Sequence, residues 1–313
     1  MDKEEIVRLL QARGKEQETL FEKARALRHQ YFGNKAIVRG VIEITDACRM
    51  NCEYCPMRRD NKGKRYVMSP EQIIDAAKAI RDYGIKAVFL QGGETPITTK
   101  TVGEAIPRIR DLFDNDVEVL LCLGDKSREE YEFLKKQGAD NYILKHETSD
   151  PELHFRMRHV ALDSRLRCLR DLLDLGYRVG IGTIIGLPGQ TIESIAKDIL
   201  LPKELGTHMT SASPLIPAPD SPLANYAAGD VGTTLNTIAL MRIVNPGLLI
   251  PSVSALEKLQ KDGQVRGLNA GANVITVNFT PDRERNAYRI YGKERYVVKH
   301  DYAVKTLERA GLG

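Results

Sequence analysis

The chain has 313 residues, of which 42% are hydrophobic, so it is long enough to bury one large core as a single catalytic domain. Its 46 basic and 42 acidic residues leave a net charge of +4 without a long basic block rich in aromatic residues, which disfavours a nucleic-acid substrate. The charged N-terminus and the lack of any run of about 18 apolar residues predict a cytoplasmic protein with no signal peptide and no membrane partner.

The first predicted elements are one or two helices between residues 4 and 28, where apolar residues recur at helical spacing that breaks near Gly14. Beyond them, short β-branched runs alternate with longer amphipathic stretches, the pattern of repeated βα units. The predicted strands cover residues 36–45, 86–91, 117–123, 141–144, 178–185, 208–213, 248–250 and 274–278. The predicted helices between them cover residues 70–83, 101–113, 127–137, 164–175, 191–204, 233–244 and 256–268.

Eight strand-helix alternations favour an α/β fold of the complete (β/α)8 TIM-type barrel, although periodicity alone also allows an open sheet of six units with a helical cap. The predicted organisation has three parts. They are an N-terminal helical extension over residues 1–34, the barrel over 35–282, and a C-terminal tail over 283–313 that packs on the barrel.

Three cysteines, Cys48, Cys52 and Cys55, follow the first predicted strand with the spacing C-x3-C-x2-C. They can place three thiolates on one loop, enough to hold three irons of a four-iron cluster and leave the fourth iron open. A structural zinc site normally takes four protein ligands, often from two separated C-x2-C pairs, and this sequence has no second pair. The five cysteines form no disulfide framework and suit a reducing compartment.

This spacing, with the aromatic Tyr54 just before the third cysteine, resembles the signature of the radical S-adenosylmethionine (SAM) superfamily. The resemblance implies one [4Fe-4S] cluster whose open iron binds the amino and carboxylate groups of SAM. One electron, from a donor such as flavodoxin or ferredoxin, then cleaves the sulfonium to methionine and a 5'-deoxyadenosyl radical. In such enzymes the cofactor carries the radical chemistry, while the protein supplies binding, orientation and exclusion of side reactions.

Polar motifs directly after later predicted strands extend the resemblance, at the positions where barrel enzymes carry their active sites. Gly92, Gly93 and Glu94 resemble the superfamily's GGE motif, whose backbone carbonyls accept hydrogen bonds from the SAM ammonium group. The motif containing Glu147 implies a contact to the SAM ribose, and Arg165 implies an ion pair with the SAM carboxylate. A guanidinium suits a carboxylate because it can donate two parallel hydrogen bonds.

The fifth predicted strand resembles the superfamily's G-x-I-x-G motif, in which an apolar side chain and the backbone pack against adenine. A buried parallel strand has a similar sequence, so both interpretations apply to it. The motif nominates Thr183, Ile184 and Ile185 as SAM contacts.

Several segments resemble one branch of the superfamily, the biotin-synthase-like branch, and within it the group of [FeFe]-hydrogenase maturases and methylornithine synthases. The resemblance covers about residues 35 to 290 and reaches the eighth strand, which favours the complete barrel. The matching segments are 146–148, 164–166, 178–191, 216–224, 270–275 and 278–281.

The sequence departs from biotin synthase where that enzyme holds a second cluster, because Leu120 and Gly180 stand at the corresponding places. No cysteine follows Cys168, so the C-terminal cluster of some maturases is also not expected. Cys122 lies on the same face of its strand as Leu120. It is either a small buried residue or a candidate catalytic group, as a substrate contact, a radical partner or a thioether-forming thiol. Cys168 is assigned to the core.

The substrate is expected to be a small molecule, and polar residues at strand ends are candidates to contact it. Hydroxyls and amides at such positions also bond to local backbone, and the set carries no fixed charge that would identify the substrate. The candidates are Ser211, Ser213, Ser254, Thr276 and Asn278.

With one cluster, the predicted activity is hydrogen abstraction followed by rearrangement, fragmentation or addition, in cofactor or metabolite biosynthesis. Two alternatives remain open at this stage. One is partner-dependent sulfur insertion, as in lipoyl or biotin synthase, and the other is a non-catalytic iron–sulfur scaffold or carrier.

Overall fold

Parallel strands form the centre of the computed structural model, which describes residues 1–292 and 294–313. Six of them form one sheet with the order β5-β4-β3-β2-β1-β8, and β6 pairs with β7 in a second, two-stranded sheet. The strands are β1 (Ile37–Thr45), β2 (Ala87–Gly92), β3 (Glu118–Cys122), β4 (Asn141–Ile143), β5 (Arg178–Gly180), β6 (Thr183–Ile185), β7 (Ala212–Pro214) and β8 (Val274–Asn278).

Single parallel bridges close these strands into a barrel. Gly180 bridges to Met209, Met209 bridges to Leu249, and Pro251 bridges to Val274 at the start of β8. Because β8 pairs with β1, the ring is continuous. The complete (β/α)8 barrel is therefore confirmed over the open sheet, with β5 and β6 as two halves of the fifth position and residues 248–251 in the seventh.

The helices surround this ring, and local signals set where several of them begin. Ser69 and Ser127 each close a capping box with the residue three positions later, Gln72 and Glu130 respectively. The helices are α1 (Lys3–Leu10), α2 (Gly14–Phe32), α3 (Pro70–Asp82), α4 (Ile97–Leu112), α5 (Arg128–Lys136), α6 (Pro151–Arg158), α7 (Leu162–Asp174), α8 (Ile192–Leu205), α9 (Val231–Val244), α10 (Ser254–Leu259), α11 (Gly263–Asn269), α12 (Asp282–Ala287) and α13 (His300–Arg309).

Two predicted elements are divided in the structure, and three helices were not predicted. The predicted strand 178–185 is interrupted at Gly182, where the strands approach so closely that a Cβ atom would lie 2.3 Å from the Ser211 hydroxyl oxygen. The predicted helix 256–268 is two helices, separated where Asp262 takes a left-handed conformation with φ of 62°. The structure also contains α6, α12 and α13, which the pattern of apolar residues did not predict.

The apolar core lies outside the ring of strands in two parts. One part packs β1 to β5 against helices α3, α4, α5 and α7, and the other packs α1, α2, α8 and α9 around β7 and β8. The interior of the ring is left for a cavity. No described helix is long and apolar enough to cross a membrane. The division of the chain at residues 34 and 282 stays a prediction.

Candidate active site

A cavity of about 300 Å³ occupies the interior of the barrel and opens among the loops after the strands. Most of the predicted site residues share its wall, although the sequence scatters them over more than 200 positions. These are Cys48, Cys52, Tyr54, Cys55, Gly92, Gly93, Glu94, Cys122, Glu147, Arg165, Ser211, Ser254, Thr276 and Asn278.

Hydrogen bonds that do not involve the thiols hold the two ends of the cysteine loop in place. The Asp46 carboxylate accepts a hydrogen bond from the Tyr66 backbone N–H at 2.8 Å. Arg65 donates to the backbone carbonyls of Asp46, Arg58 and Asn61, each at 2.8 Å. The loop is therefore held in one shape by its two ends, which leaves the thiols free to serve as ligands.

The second glycine of the GGE motif is required by contact with this loop. A Cβ atom on Gly93 would lie 2.2 Å from the carbonyl oxygen of Ala47 and 3.0 Å from the Cβ of Cys48. The Arg49 backbone N–H, in turn, donates to the Glu94 carbonyl at 2.8 Å. Only glycine allows the end of β2 to approach the cysteine loop this closely.

Burial raises the pKa of each cysteine thiol in the loop. Iron binds the thiolate form, so binding at this site releases protons. The iron–sulfur bonds offset the free-energy cost of burying the sulfurs. Within the described residues, no three His, Cys, Asp or Glu side chains converge as ligands of one metal ion would. In a four-iron cluster each cysteine binds a different iron, so three thiolates on one loop can hold three of the four irons.

Several buried polar atoms around the cavity have no hydrogen-bond partner among the described residues. They include Nε and Nη2 of Arg165, Nε of Arg158 and Oε2 of Glu147. Arg165 is only 2% exposed and pairs through Nη1 with Asp125 at 3.0 Å. A ligand that brings a carboxylate to the arginines and hydroxyl groups to Glu147 would satisfy these atoms, and SAM carries both.

Glu147 is held in a left-handed conformation, with φ of 66°, by a network centred on Asp198. The fully buried Asp198 accepts from the Ser149 backbone N–H at 2.6 Å and from the Thr183 hydroxyl at 2.7 Å, and it contacts His146 Nε2 at 3.1 Å. His146 therefore supports the motif from the core. Asp198 was not predicted, although an aspartate on the apolar face of α8 is a recognisable signal.

We expect Asp198→Ala to act on SAM binding through Glu147. The change removes the acceptor of the Ser149 N–H and the partner of His146 Nε2, while the Thr183 hydroxyl can still donate to the Glu147 carbonyl. The free energy of unfolding should therefore fall by about 2 kcal/mol. Release of the Glu147 backbone should raise KM for SAM by about tenfold, since 1.4 kcal/mol is a factor of ten in affinity. Urea unfolding measures the change in the free energy of unfolding, and SAM-cleavage kinetics measure the change in KM. Asp174→Ala, on the exposed end of α7, is the control, and an unchanged KM for SAM would contradict the positioning role.

The predicted adenine motif divides between two faces of β6. Thr183 and Ile185 are buried away from the cavity, the first bonded to Asp198 and the second in the outer core. Ile184 instead faces a smaller pocket of about 90 Å³ beside the cysteine loop, together with Tyr54 and Ser213. Strand alternation thus leaves Ile184 as the side chain of the three that faces a ligand space, while the other two side chains are structural.

The cavity also contains charged groups that the sequence reasoning missed. Arg39 on β1 stacks over the Phe89 ring, 4.8 Å from its centre, and donates to the Thr276 hydroxyl at 2.7 Å. Burial lowers the pKa of Arg39 to about 10, which leaves it charged at neutral pH. Burial also acts to lower the pKa of Lys145, but Tyr291 and Glu147 raise it above its ordinary value. Alternation along β1 was the available signal for Arg39.

The two cysteines outside the loop lie in different places, one at the cavity and one in the core, as the sequence indicated. Cys122 lines the cavity beside an apolar layer that includes Leu120, and burial raises its pKa. Cys168 lies in the outer core, with its thiol 3.8 Å from the Lys126 carbonyl. No thiol accompanies Cys122 at Leu120 or Gly180, so the cavity offers no ligand set for a second cluster.

Comparison with known proteins agrees with this site. Residues 42–201 match the family described as the Radical SAM superfamily. The chain is 41% identical over 288 residues to the [FeFe] hydrogenase maturase subunit HydE of Thermotoga maritima, which covers 91% of this chain and 82% of that protein. It is 27% identical over 302 residues to 3-methylornithine synthase of Methanosarcina acetivorans, covering 95% of this chain and 85% of the relative.

Solved structures show the same fold. Methylornithine synthase (PylB) superposes with a TM-score of 0.86 at 24% identity, over 99% of this chain and 93% of that one. The maturase HydG from Carboxydothermus hydrogenoformans superposes with a TM-score of 0.83 at 24% identity, over all of this chain and 75% of that one. The fold is thus shared with proteins of low sequence identity.

Proposed function

Because the chain belongs to the radical SAM superfamily, we propose that it uses its barrel cavity to expose one anionic small molecule to the 5'-deoxyadenosyl radical. When bound, the [4Fe-4S] cluster and SAM supply this radical by reductive cleavage, for a step in cofactor or metabolite biosynthesis. The single observation that carries the proposal is the enclosed cavity, in which the cysteine loop and the unsatisfied polar atoms face two cationic side chains.

The chain's own residues have separate tasks in this proposal. Cys48, Cys52 and Cys55 hold the cluster at the mouth of the barrel. The Nε and Nη2 atoms of Arg165, which make no hydrogen bond among the described residues although Nη2 lies 3.8 Å from the Glu94 carboxylate, receive the SAM carboxylate, and Glu147 receives the ribose hydroxyls. The glycines of the GGE motif bring backbone carbonyls next to the cysteine loop, where an ammonium group can donate to them.

Charge in the deeper cavity supports an anionic substrate. Among the described residues, no carboxylate lies within ion-pairing distance of the charged ends of Arg39 or Lys145. A buried cation without a partner is costly, so a substrate carboxylate or a similar anion would stabilise the loaded state. Ser211, Ser254, Thr276 and Asn278 stand in the same wall as neutral hydrogen-bonding groups.

The relatives point to the type of reaction. We propose a maturase-like or mutase-like step, in which hydrogen abstraction is followed by rearrangement, fragmentation or addition within the cavity. Sulfur insertion would need sulfur from a partner protein, because the cavity has no second cysteine set. A carrier only has to bind and release its iron–sulfur cluster, and an enclosed, charged cavity behind the cluster loop has no role in that task. A cytoplasmic location stays a prediction.

The direct test is reductive SAM cleavage by anaerobically reconstituted protein. We expect dithionite-reduced holoenzyme to release methionine and 5'-deoxyadenosine, with faster release when the small-molecule fraction of a cell extract is added. Chromatography quantifies both products. Protein that binds four irons but forms no 5'-deoxyadenosine under either condition would instead support the carrier alternative.

Arg39→Met tests the anionic substrate separately from SAM cleavage. The methionine removes a partly buried charge at similar volume but loses the hydrogen bond to Thr276, so the free energy of unfolding should change by less than about 1 kcal/mol. Stimulation by the extract fraction should be lost. Urea unfolding and 5'-deoxyadenosine assays measure the two effects, with Lys136→Met on the exposed side of α5 as the control. Full stimulation in Arg39→Met would exclude this residue as a substrate contact.

A further inference from the structure

The net charge of the chain is concentrated in the cysteine loop. Between Arg49 and Arg65 there are six basic and two acidic residues, a surplus of four, while the net charge of the whole chain is +4. The remaining residues are therefore balanced overall. A charge distribution of this kind directs diffusional encounter toward one place on the surface.

Three basic residues form the exposed edge of this loop, Arg59, Lys62 and Lys64, which we name the basic edge. Asp60 lies among them, but it accepts from Asn51 at 2.6 Å and from Arg59 at 3.2 Å, so its charge is partly offset. The end of α6, which contacts the loop at Glu53, carries a further exposed arginine, Arg156. The edge therefore presents positive charge to solvent.

The basic edge lies on the same loop as the cluster ligands. The Arg58 backbone N–H donates to the Cys55 carbonyl at 3.2 Å, and the Arg59 backbone N–H donates to the Met50 carbonyl at 2.8 Å. The edge therefore belongs to the same hydrogen-bonded loop as the thiols, with Arg59 four residues after Cys55. The other side of the loop faces the barrel cavity, which the substrate and SAM would fill.

We infer that the basic edge is the docking surface for an acidic protein that carries one electron. The inference rests on the proposed function, because the electron is delivered to the cluster held by Cys48, Cys52 and Cys55. The carrier is oxidised by one electron and the cluster is reduced by one electron, with no bond or proton transferred between the proteins. Complementary charge raises the rate of encounter more than the affinity of the final complex.

The test compares two triple variants that change the net charge equally. One reverses the basic edge, Arg59→Glu, Lys62→Glu and Lys64→Glu. The matched control reverses three exposed lysines on α2 and α13, and its changes are Lys15→Glu, Lys23→Glu and Lys305→Glu. Reduced flavodoxin, an acidic carrier, is mixed with the reconstituted holoenzyme, and bleaching of the cluster absorbance is followed by stopped flow.

We expect the basic-edge variant to lower the second-order rate of cluster reduction by about 10- to 100-fold at low salt, and the control variant by less than about twofold. The rate for the unmodified protein should fall steeply between about 50 and 500 mM salt, while the rate for the basic-edge variant should not. Equal rates in the two variants, whether both fast or both slow, would overturn the inference.

Dithionite separates this inference from the proposed function. As a small reductant it needs no docking surface, so the basic-edge variant should cleave SAM with dithionite at the rate of the unmodified protein. If dithionite yields no 5'-deoxyadenosine with the unmodified protein, the proposed function fails. Docking is then still judged by isothermal titration of oxidised flavodoxin into the holoenzyme, where binding lost in the basic-edge variant alone supports it and equal binding overturns it.

Discussion

The triple variant Cys48→Ala, Cys52→Ala, Cys55→Ala should lose its iron, its brown chromophore and all SAM cleavage, while the barrel stays folded. Activity is lost because three thiolates on one loop are the whole ligand set that the cavity offers. The fold survives because the loop is fastened by Asp46 and Arg65 rather than by its sulfurs. Iron analysis, visible absorbance and 5'-deoxyadenosine assays measure the loss, and far-ultraviolet circular dichroism measures the fold.

Cys168→Ala is the matched control for this variant. It removes a buried thiol from the outer core, so it should lower the free energy of unfolding by about 1 kcal/mol and leave the iron content unchanged. Cys122→Ala should also keep four irons, because its thiol stands deeper in the cavity, apart from the loop. Retention of four irons by the triple variant would reveal a cluster site elsewhere in the chain.

The fold was predictable because each βα unit has a local sequence pattern, a short β-branched run followed by an amphipathic stretch. Strand β8 has the predicted bounds, and β1 differs from its prediction by one residue. The interruption at Gly182 could not be predicted from the sequence, since it depends on the Ser211 hydroxyl, which lies directly before β7. Likewise, α6 carries little apolar periodicity, and its position depends on contact with the cysteine loop, where the Glu53 N–H donates to the Met157 carbonyl at 2.9 Å.

The site was predictable where chemistry fixes a local spacing, as in the cysteine loop and the GGE motif. It was less predictable where function depends on which way a strand residue faces. Alternation along β1 puts Arg39 on the same face as Val41 and Glu43, but which face points inward depends on how β1 pairs with β2 and β8. Asp198 belongs to a helix that the motifs do not include, so its role depends on tertiary contacts with Ser149 and Thr183.

A buried ion pair between Glu43 and Arg295 joins the first strand to a C-terminal segment at the wall of the cavity. Arg295 donates through both terminal nitrogens to the Glu43 carboxylate, and the two side chains are 7% and 3% exposed. Glu43 comes from β1, whereas Arg295 belongs to the segment between α12 and α13 that lines the cavity with Tyr288 and Tyr291. A separation of 252 residues places this pair beyond prediction from local pattern.

Arg295→Met should therefore destabilise the protein strongly and loosen this segment. The change leaves Glu43 buried without its counter-charge, which costs about 4 kcal/mol. Adding Glu43→Gln removes the uncompensated charge, so the double variant should recover most of that loss. Urea unfolding measures the free energies, and limited proteolysis with trypsin measures exposure of the segment, which should increase in the single variant.

Arg289→Met is the control from the same segment. Arg289 pairs with Asp220 at 3.4 Å on the surface, where an ion pair contributes only about 0 to 1 kcal/mol, so its loss should change stability little. The comparison also separates charge from packing, because both variants exchange arginine for methionine. If Arg295→Met is no less stable than Arg289→Met, or if the double variant is as unstable as Arg295→Met alone, the ion pair does not hold the segment over the cavity.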